Sequence, residues 1–202
     1  MRIQTVELAE KLIEEQFDQL EYTYELLKIL SQRNVSKDSE KLAIRIHALE
    51  TNMKYYCFLM SSFCDLMVIL KGFINSKSRW EEIFYSKKGY LIIYESINTY
   101  NQNQKNIRDV ISNNFPELEK VNLEVNQKLK TFKKTYSYHV EIAKIRNETA
   151  GHYNVDFNIY YPILEKLEKT KSIEAVENFI LFLMSVINLV QKITSSLRSL
   201  PS

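Results

Sequence analysis

The positions of glycine and proline constrain the fold of this chain more than any other sequence feature. Only three residues of each type occur among 202. All six fall where a periodic run of apolar residues begins or ends: Gly72, Gly89, Gly151, Pro116, Pro162 and Pro201. Helical proteins place these residues in this way, since neither type suits a helix interior. The pattern predicts an all-α fold and argues against strands.

Apolar residues at spacings of three and four predict about seven helical segments. The first covers residues 4–30. A second long helix is expected to begin at an N-cap, either Ser36 or Asp38, and to end near Gly72. The last helix is expected to start near Ser172, with one apolar face running to its end.

Between these segments the sequence predicts shorter helices. Ser78 with Glu81 forms a capping box that opens a short helix, and a separate polar helix should run from residue 89 to 114. Pro116 suits the first turn of a helix that continues to Ala150, and Pro162 the first turn of another short helix. With no repeat and no linker, residues 1–202 are predicted to form a single domain, an antiparallel helical bundle with additional short helices.

Composition excludes several functional classes. The net charge of +2 is too small to indicate a nucleic-acid binder by bulk charge, so any polyanion site must be local. Cys57 and Cys64 are too far apart along one helix to form a disulfide. No Gly-rich phosphate loop, nucleophile elbow or zinc-ligand spacing occurs, and we expect neither a cofactor nor a metal.

Localisation is predicted from two segments. The N-terminal residues lack the apolar core of a secretory signal. The most apolar stretch, FLMSSFCDLMVIL, is too short to span a bilayer and contains Asp65. We therefore expect a soluble, cytoplasmic protein with no membrane partner.

The segment RNETAGHY, residues 146–153, combines a helix ending with reactive side chains. The inward stripe of the helix that begins at Pro116 continues through Val140, and seven-residue steps from Phe132 lead to His139 and Arg146 at or beside this face. An unpaired guanidinium would be costly there, so Arg146 needs an acidic partner or a bound anion. Gly151 is expected to adopt the left-handed C′ conformation and to turn His152 away from the helix axis, so the spacing is compatible with both side chains meeting one ligand but does not require it.

This segment resembles the motif of the HEPN (higher eukaryotes and prokaryotes nucleotide-binding) superfamily of ribonucleases. In that family an Arg, often followed by Asn, precedes a His by four to six intervening residues, at the junction of the last two core helices. Here Arg146 and Asn147 precede His152 with five intervening residues, late in a helical chain. The resemblance covers one short motif and the bundle architecture.

The resemblance implies metal-independent cleavage of RNA. Arg146 would bind the scissile phosphate and stabilise its growing charge, and His152 would transfer protons. Asn147 would orient backbone or substrate, while Tyr153 would stack on a base or contact phosphate. The family also implies a homodimer whose two motifs share a cleft, a role as a toxin or in anti-phage defence, and an antitoxin protein as partner.

Basic and aromatic residues alternate before the motif, and they suit a single RNA strand. The basic residues between 128 and 146 are Lys128, Lys130, Lys133, Lys134, Lys144 and Arg146, against one acid, Glu141. A solvated lysine face is the alternative. Asp65 is a candidate partner for Arg146 or His152, or else pairs with Arg45 or Lys71 or faces solvent. His139 is a candidate for orienting substrate, or else is structural.

Three functions stay open at this point. The first is a HEPN-like endoribonuclease. The second is a HEPN-like module without catalysis that binds RNA, nucleotide or protein. The third is a structural bundle in which RNETAGHY is only a helix ending.

Overall fold

A computed structural model describes residues 5–32, 40–151 and 154–199, with side chains from 5–32, 42–151 and 154–199. Of the described residues, 92% are helical and none lies in a strand, which confirms the all-α prediction. Its α-helices are α1 (Val6–Ser31), α2 (Glu40–Asn75), α3 (Arg79–Asn114), α4 (Glu119–Thr135), α5 (Ala143–Ile145), α6 (Phe157–Glu165) and α7 (Lys169–Ser199).

Side-chain pairs between helices fix their relative directions. Glu10 on α1 binds Lys71 on α2, and Arg45 near the start of α2 donates to the carbonyl oxygen of Leu197 near the end of α7. Short connections make α2 and α3, and then α3 and α4, antiparallel neighbours. The result is an antiparallel bundle of α2, α3, α4 and α7, with α1 packed on the outer side of α2.

Aromatic and aliphatic side chains from all four bundle helices fill the core. Phe179 on α7 is completely buried and lies 5.1 Å, centroid to centroid, from Phe132 on α4. Tyr100 on α3 lies edge-on to Phe182 on α7 at 5.4 Å. The predicted apolar face of the last helix is confirmed, because the side chains on that face are almost fully buried: Val176, Ile180, Leu183, Ile187, Val190 and Ile193.

Two glycines predicted at helix boundaries, Gly72 at an end and Gly89 at a start, lie inside helices. α2 continues past Gly72 to Asn75, and α3 is one helix from Arg79 to Asn114 that passes through Gly89. A Cβ at Gly72 would overlap the ring of Tyr85, and one at Gly89 would lie 2.9 Å from Cγ2 of Val176. Both glycines therefore let neighbouring helices approach closely, and the split at Gly89 predicted from sequence is wrong.

The predicted single helix from Pro116 to Ala150 is also wrong. After a 3₁₀ turn at Pro116–Leu118, α4 ends at Thr135, and Ser137 adopts a left-handed conformation with φ 46°. Residues 138–150 then form π-helical turns at Tyr138–Ile142 and Arg146–Ala150 on either side of α5.

This interruption shifts the buried face. Phe132 and Tyr136 are buried as predicted, but Val140 is 71% exposed, because the left-handed residue before it rotates the following turns. Tyr138, Ile142 and Ile145 occupy the core instead.

Other boundaries differ by a few residues. α6 begins at Phe157, capped by the side chain of Asp156, so Pro162 lies well inside it and not in its first turn. α7 begins at Lys169, before the predicted Ser172. The capping box of Ser78 and Glu81 is confirmed, and it opens the full length of α3. Ser36 and Asp38, the predicted caps of α2, lie outside the described residues.

Two helices of the described part, over Leu42–Asn75 and Lys169–Ser199, are long and apolar enough to cross a membrane by length and composition alone. About half of each apolar stretch, 50% and 56%, is buried against other helices, as in the core helices of soluble proteins. The absence of a membrane partner stays a prediction.

Candidate functional site

The backbone around Arg146 forms a wide helical turn that ends at Gly151. The N–H of Gly151 donates to the carbonyl oxygen of Arg146 over 2.8 Å, a bond that spans five residues. Gly151 has φ −82°, so the left-handed conformation predicted for it is wrong. A Cβ there would lie 3.0 Å from the carbonyl oxygen of Arg146 and 3.4 Å from its Nε. Glycine is therefore favoured at position 151 because a side chain would crowd the carbonyl oxygen and Nε of Arg146, and not because the backbone is left-handed there.

Glu95 on α3 holds the guanidinium of Arg146. The Nε and Nη2 groups donate to the same oxygen, Oε1 of Glu95, at 3.0 and 2.9 Å. Nη1 donates to Oδ1 of Asn147 at 3.1 Å. The expectation that Arg146 needs a partner is confirmed, and the acidic partner is Glu95, not Asp65. With 28% of the arginine side chain and 45% of the glutamate exposed, the pair lies at the edge of the protein.

A column of rings extends from the arginine across α3. The Cζ atom of Arg146 lies 5.1 Å above the centre of the Tyr94 ring, and Tyr94 stacks on Tyr138 at 5.6 Å with 17° between the planes. Nζ of Lys133 lies 5.4 Å from the Tyr138 ring. The Tyr138 hydroxyl donates to Oδ1 of Asn98. We call Arg146, Tyr94, Tyr138 and Lys133 the cation–tyrosine column.

Burial changes the proton affinity of two members of this column. It raises the pKa of Tyr138 to about 12, with further contributions from Tyr94 and Glu95. Burial also lowers the pKa of Lys133, because a charged ammonium group loses hydration there.

The remaining predicted residues lie at different distances from this column. Asn147 contacts Arg146 directly, whereas Lys144 is exposed on α5. His139 is exposed and edge-on to Tyr138 at 5.0 Å, so the expected position beside the apolar face is wrong for it. Asp65 is exposed on α2, where burial of part of its carboxyl raises its pKa.

His152 and Tyr153 lie outside the described residues. The residues on either side of them are both tied to the turn at Arg146–Ala150. Gly151 donates to Arg146, and Asn154 donates from its backbone and side chain to Glu148 at 3.4 and 2.7 Å. The two ends of this interval are therefore anchored to the turn that carries Arg146.

Sequence reasoning missed Glu95 and Tyr94. Both belong to the segment YES on α3, 51 and 52 positions before Arg146, in a helix predicted only to be polar on one side. Helical periodicity shows which face a residue occupies but not which distant helix that face meets. The one sequence signal that pointed to Glu95 was that Arg146, beside a buried face, needed an acidic partner.

A separate groove of about 680 Å³ lies between α4 and α7, and its lining does not include Arg146. It is lined by Phe132, Leu181 and Phe182 together with polar side chains such as Lys128, which donates to Ser185. Within the described ranges, no group of three or more His, Cys, Asp or Glu side chains is placed to hold a metal ion.

The chain matches no family model, no curated protein and no solved structure at a significant level.

Proposed function

We propose that the protein is a metal-independent endoribonuclease that cleaves single-stranded RNA, with Arg146 and His152 as its catalytic residues. The proposal combines the resemblance of Arg146, Asn147 and His152 to the HEPN motif with the way in which the fold holds Arg146. Cleavage at an ordinary phosphodiester needs no external nucleophile, since RNA carries the 2′-hydroxyl.

The observation that carries the proposal is the state of the Arg146 guanidinium. A guanidinium has five N–H donors. Three bonds from Arg146 are made within the described residues, to Glu95 and to Asn147, which leaves one donor on each terminal nitrogen. The side chain is fixed in orientation yet 28% exposed. A preoriented, accessible pair of donors suits a phosphate, which arginine binds through two parallel N–H bonds.

The reaction would proceed by transfer of the phosphoryl group within the strand. The 2′-oxygen attacks the adjacent phosphorus, its proton passes to a base, and the bond to the 5′-oxygen breaks as that oxygen receives a proton. The products are a 2′,3′-cyclic phosphate and a 5′-hydroxyl. Arg146 would stabilise the charge on the non-bridging oxygens, and His152 would transfer protons, a role that imidazole groups commonly take in catalysis.

The test compares wild type with Arg146→Ala and His152→Ala on mixed single-stranded RNA in EDTA. Arg108→Ala and His47→Ala are matched controls, since both are exposed and lie on α3 and α2, away from the turn at Arg146–Ala150. We expect cleavage with cyclic phosphate ends by wild type and both controls, and none by the two site variants. Equal activity in all five proteins would reject the site, and no wild-type cleavage of varied RNAs would reject the enzyme.

A helical module that binds RNA, nucleotide or protein without cleaving RNA is the second candidate. The ion pair between Arg146 and Glu95 favours it, because a carboxylate already offsets the arginine charge. This candidate predicts RNA binding that Arg146→Ala weakens, without any product.

The resemblance also supports a cytoplasmic homodimer that acts as a toxin or in anti-phage defence, with an antitoxin protein as its partner. Light scattering would measure the mass in solution. Mixing the Arg146→Ala and His152→Ala variants tests whether two subunits share a site, because a composite dimer would regain one intact pair and hence activity.

A further inference from the structure

Lys133 stands at the opposite end of the cation–tyrosine column from Arg146 and differs from it in one respect. No acidic side chain of the described part forms an ion pair with Lys133, whose Nζ lies 5.4 Å from the centre of the neutral Tyr138 ring. The lysine is only partly exposed. A partly buried ammonium group without a counter-ion is unfavourable, and a bound anion would relieve that cost.

The acids close to Tyr138, Glu95 through space and Glu141 along the chain, are engaged by other cations. Glu95 accepts two bonds from Arg146, and Glu141 accepts from Lys171 at 2.9 Å. Of the column's two cations, the one whose charge is not offset is therefore Lys133. The end of the column that attracts an anion most strongly is not the end that carries the proposed catalytic arginine.

We propose that Lys133 forms a second phosphate subsite, which holds an RNA strand by a phosphate a few nucleotides away from the one at Arg146. This inference rests on the proposed function, in that the ligand is taken to be a single RNA strand. The distances along the column put the two cations no more than about 16 Å apart. A strand of a few nucleotides covers that distance, within the length that single-strand binding sites engage.

The surface beside Lys133 also fits a strand. His139 is exposed and lies against the edge of Tyr138, the ring that Lys133 covers. An exposed imidazole next to a phosphate contact offers a surface on which a base can stack. The two sites then have different roles, because Lys133 contributes to the affinity for the RNA strand and Arg146 stabilises the transition state.

The experiment measures the salt dependence of binding, using a fluorescent 2′-O-methyl oligonucleotide that cannot be cleaved because it lacks the nucleophile. Each phosphate contact to a single strand contributes about 0.7 to the slope of log affinity against log salt. We expect Lys133→Met to lower the slope by about 0.7 and Lys133→Arg to restore it. Lys120→Met is the matched control, since Lys120 is exposed at the opposite end of the same helix, and should leave the slope near that of wild type.

Cleavage of unmodified RNA separates this inference from the proposed function. If the subsite exists in an active enzyme, Lys133→Met raises KM and leaves kcat within about twofold. Wild-type cleavage with equal slopes for Lys133→Met, Lys120→Met and wild type would overturn the subsite alone. Loss of slope in Lys133→Met without any wild-type cleavage would overturn the enzyme and keep the subsite, and no binding even at low salt would overturn both. Circular dichroism melts check that each variant is folded.

Discussion

Replacing Glu95 by Gln tests whether the carboxylate restrains the affinity of Arg146 for phosphate. The substitution removes one negative charge but keeps an amide oxygen that can accept from Nε of Arg146, at the position where Glu95 Oε1 now accepts over 3.0 Å. The guanidinium should keep its place over Tyr94 and present its full charge to a ligand. We therefore expect tighter RNA binding by Glu95→Gln, although the substitution deletes an ion pair.

The magnitude follows from the exposure of the pair. The gain comes from removing the repulsion between the Glu95 carboxylate and a phosphate bound by the same guanidinium, and two unit charges about 4 Å apart interact by about 1 kcal/mol in water and by more where solvent is excluded. Because 28% of Arg146 and 45% of Glu95 is exposed, we take the lower value, about 1 kcal/mol. A free energy of 1.4 kcal/mol changes a dissociation constant about tenfold, so the gain is about fivefold at low salt. Screening should reduce it steadily as the ionic strength rises.

The assay is fluorescence anisotropy with the 2′-O-methyl oligonucleotide at several salt concentrations. Glu141→Gln is the matched control, because Glu141 also binds a cation at 2.9 Å and is 47% exposed, yet its partner is Lys171. Equal tightening in both variants would mean that net charge alone is responsible. An unchanged or weaker affinity in Glu95→Gln at low salt would refute the view that Glu95 offsets the charge available to phosphate.

Four stability predictions follow from the packing, each checked by urea denaturation. Gly72→Ala should destabilise the fold by at least about 1 kcal/mol, because its Cβ would overlap the Tyr85 ring; wild-type stability would contradict the close helix approach. Ser137→Val should cost about 1–2 kcal/mol at φ 46°, whereas Ser137→Gly should not; equal effects would refute the left-handed turn. Phe179→Ala should cost about 3–5 kcal/mol, and a loss under 1 kcal/mol would count against its place in the core. Ser78→Ala should cost about 1 kcal/mol through loss of the cap, and no change would contradict the capping box.

Helix existence was predictable from sequence, whereas helix ends depended on tertiary contacts. The apolar stripes of α4 and α7 and the capping box at Ser78 are confirmed. The sequence could predict them because each depends only on residues close together along the chain. Gly89 is different. Its sequence signal is that of a helix terminus, but Val176 on a distant helix occupies the space that a side chain would need. Packing between helices gives this glycine its role, and single-sequence reasoning cannot see that neighbour.

The sequence predicted that Arg146 needs a counter-charge, but it did not predict which residue supplies it. The position of Arg146 on a largely buried face required a counter-charge, and the structure supplies one. The identity of Glu95 depends on how α3 packs beside the turn at Arg146–Ala150, which helical periodicity does not determine. Ser137 posed a similar problem, since nothing in its sequence context marks a left-handed residue that redirects the stripe away from Val140.

The irregular backbone of residues 138–150 explains how one segment contributes side chains both to the hydrophobic core and to the candidate functional site. Ile142, Ile145 and Thr149 are buried, so this face must stay against the bundle. A regular continuation of α4 would instead have buried Val140, which is 71% exposed. The left-handed Ser137 rotates the segment, and the wide turn at Arg146–Ala150 brings the arginine side chain onto α3 while its backbone stays anchored. Wide turns of this kind cost regular hydrogen bonding and often occur at functional sites. Here the wide turn carries Arg146, whose guanidinium contacts Glu95 and Tyr94 at the edge of the protein.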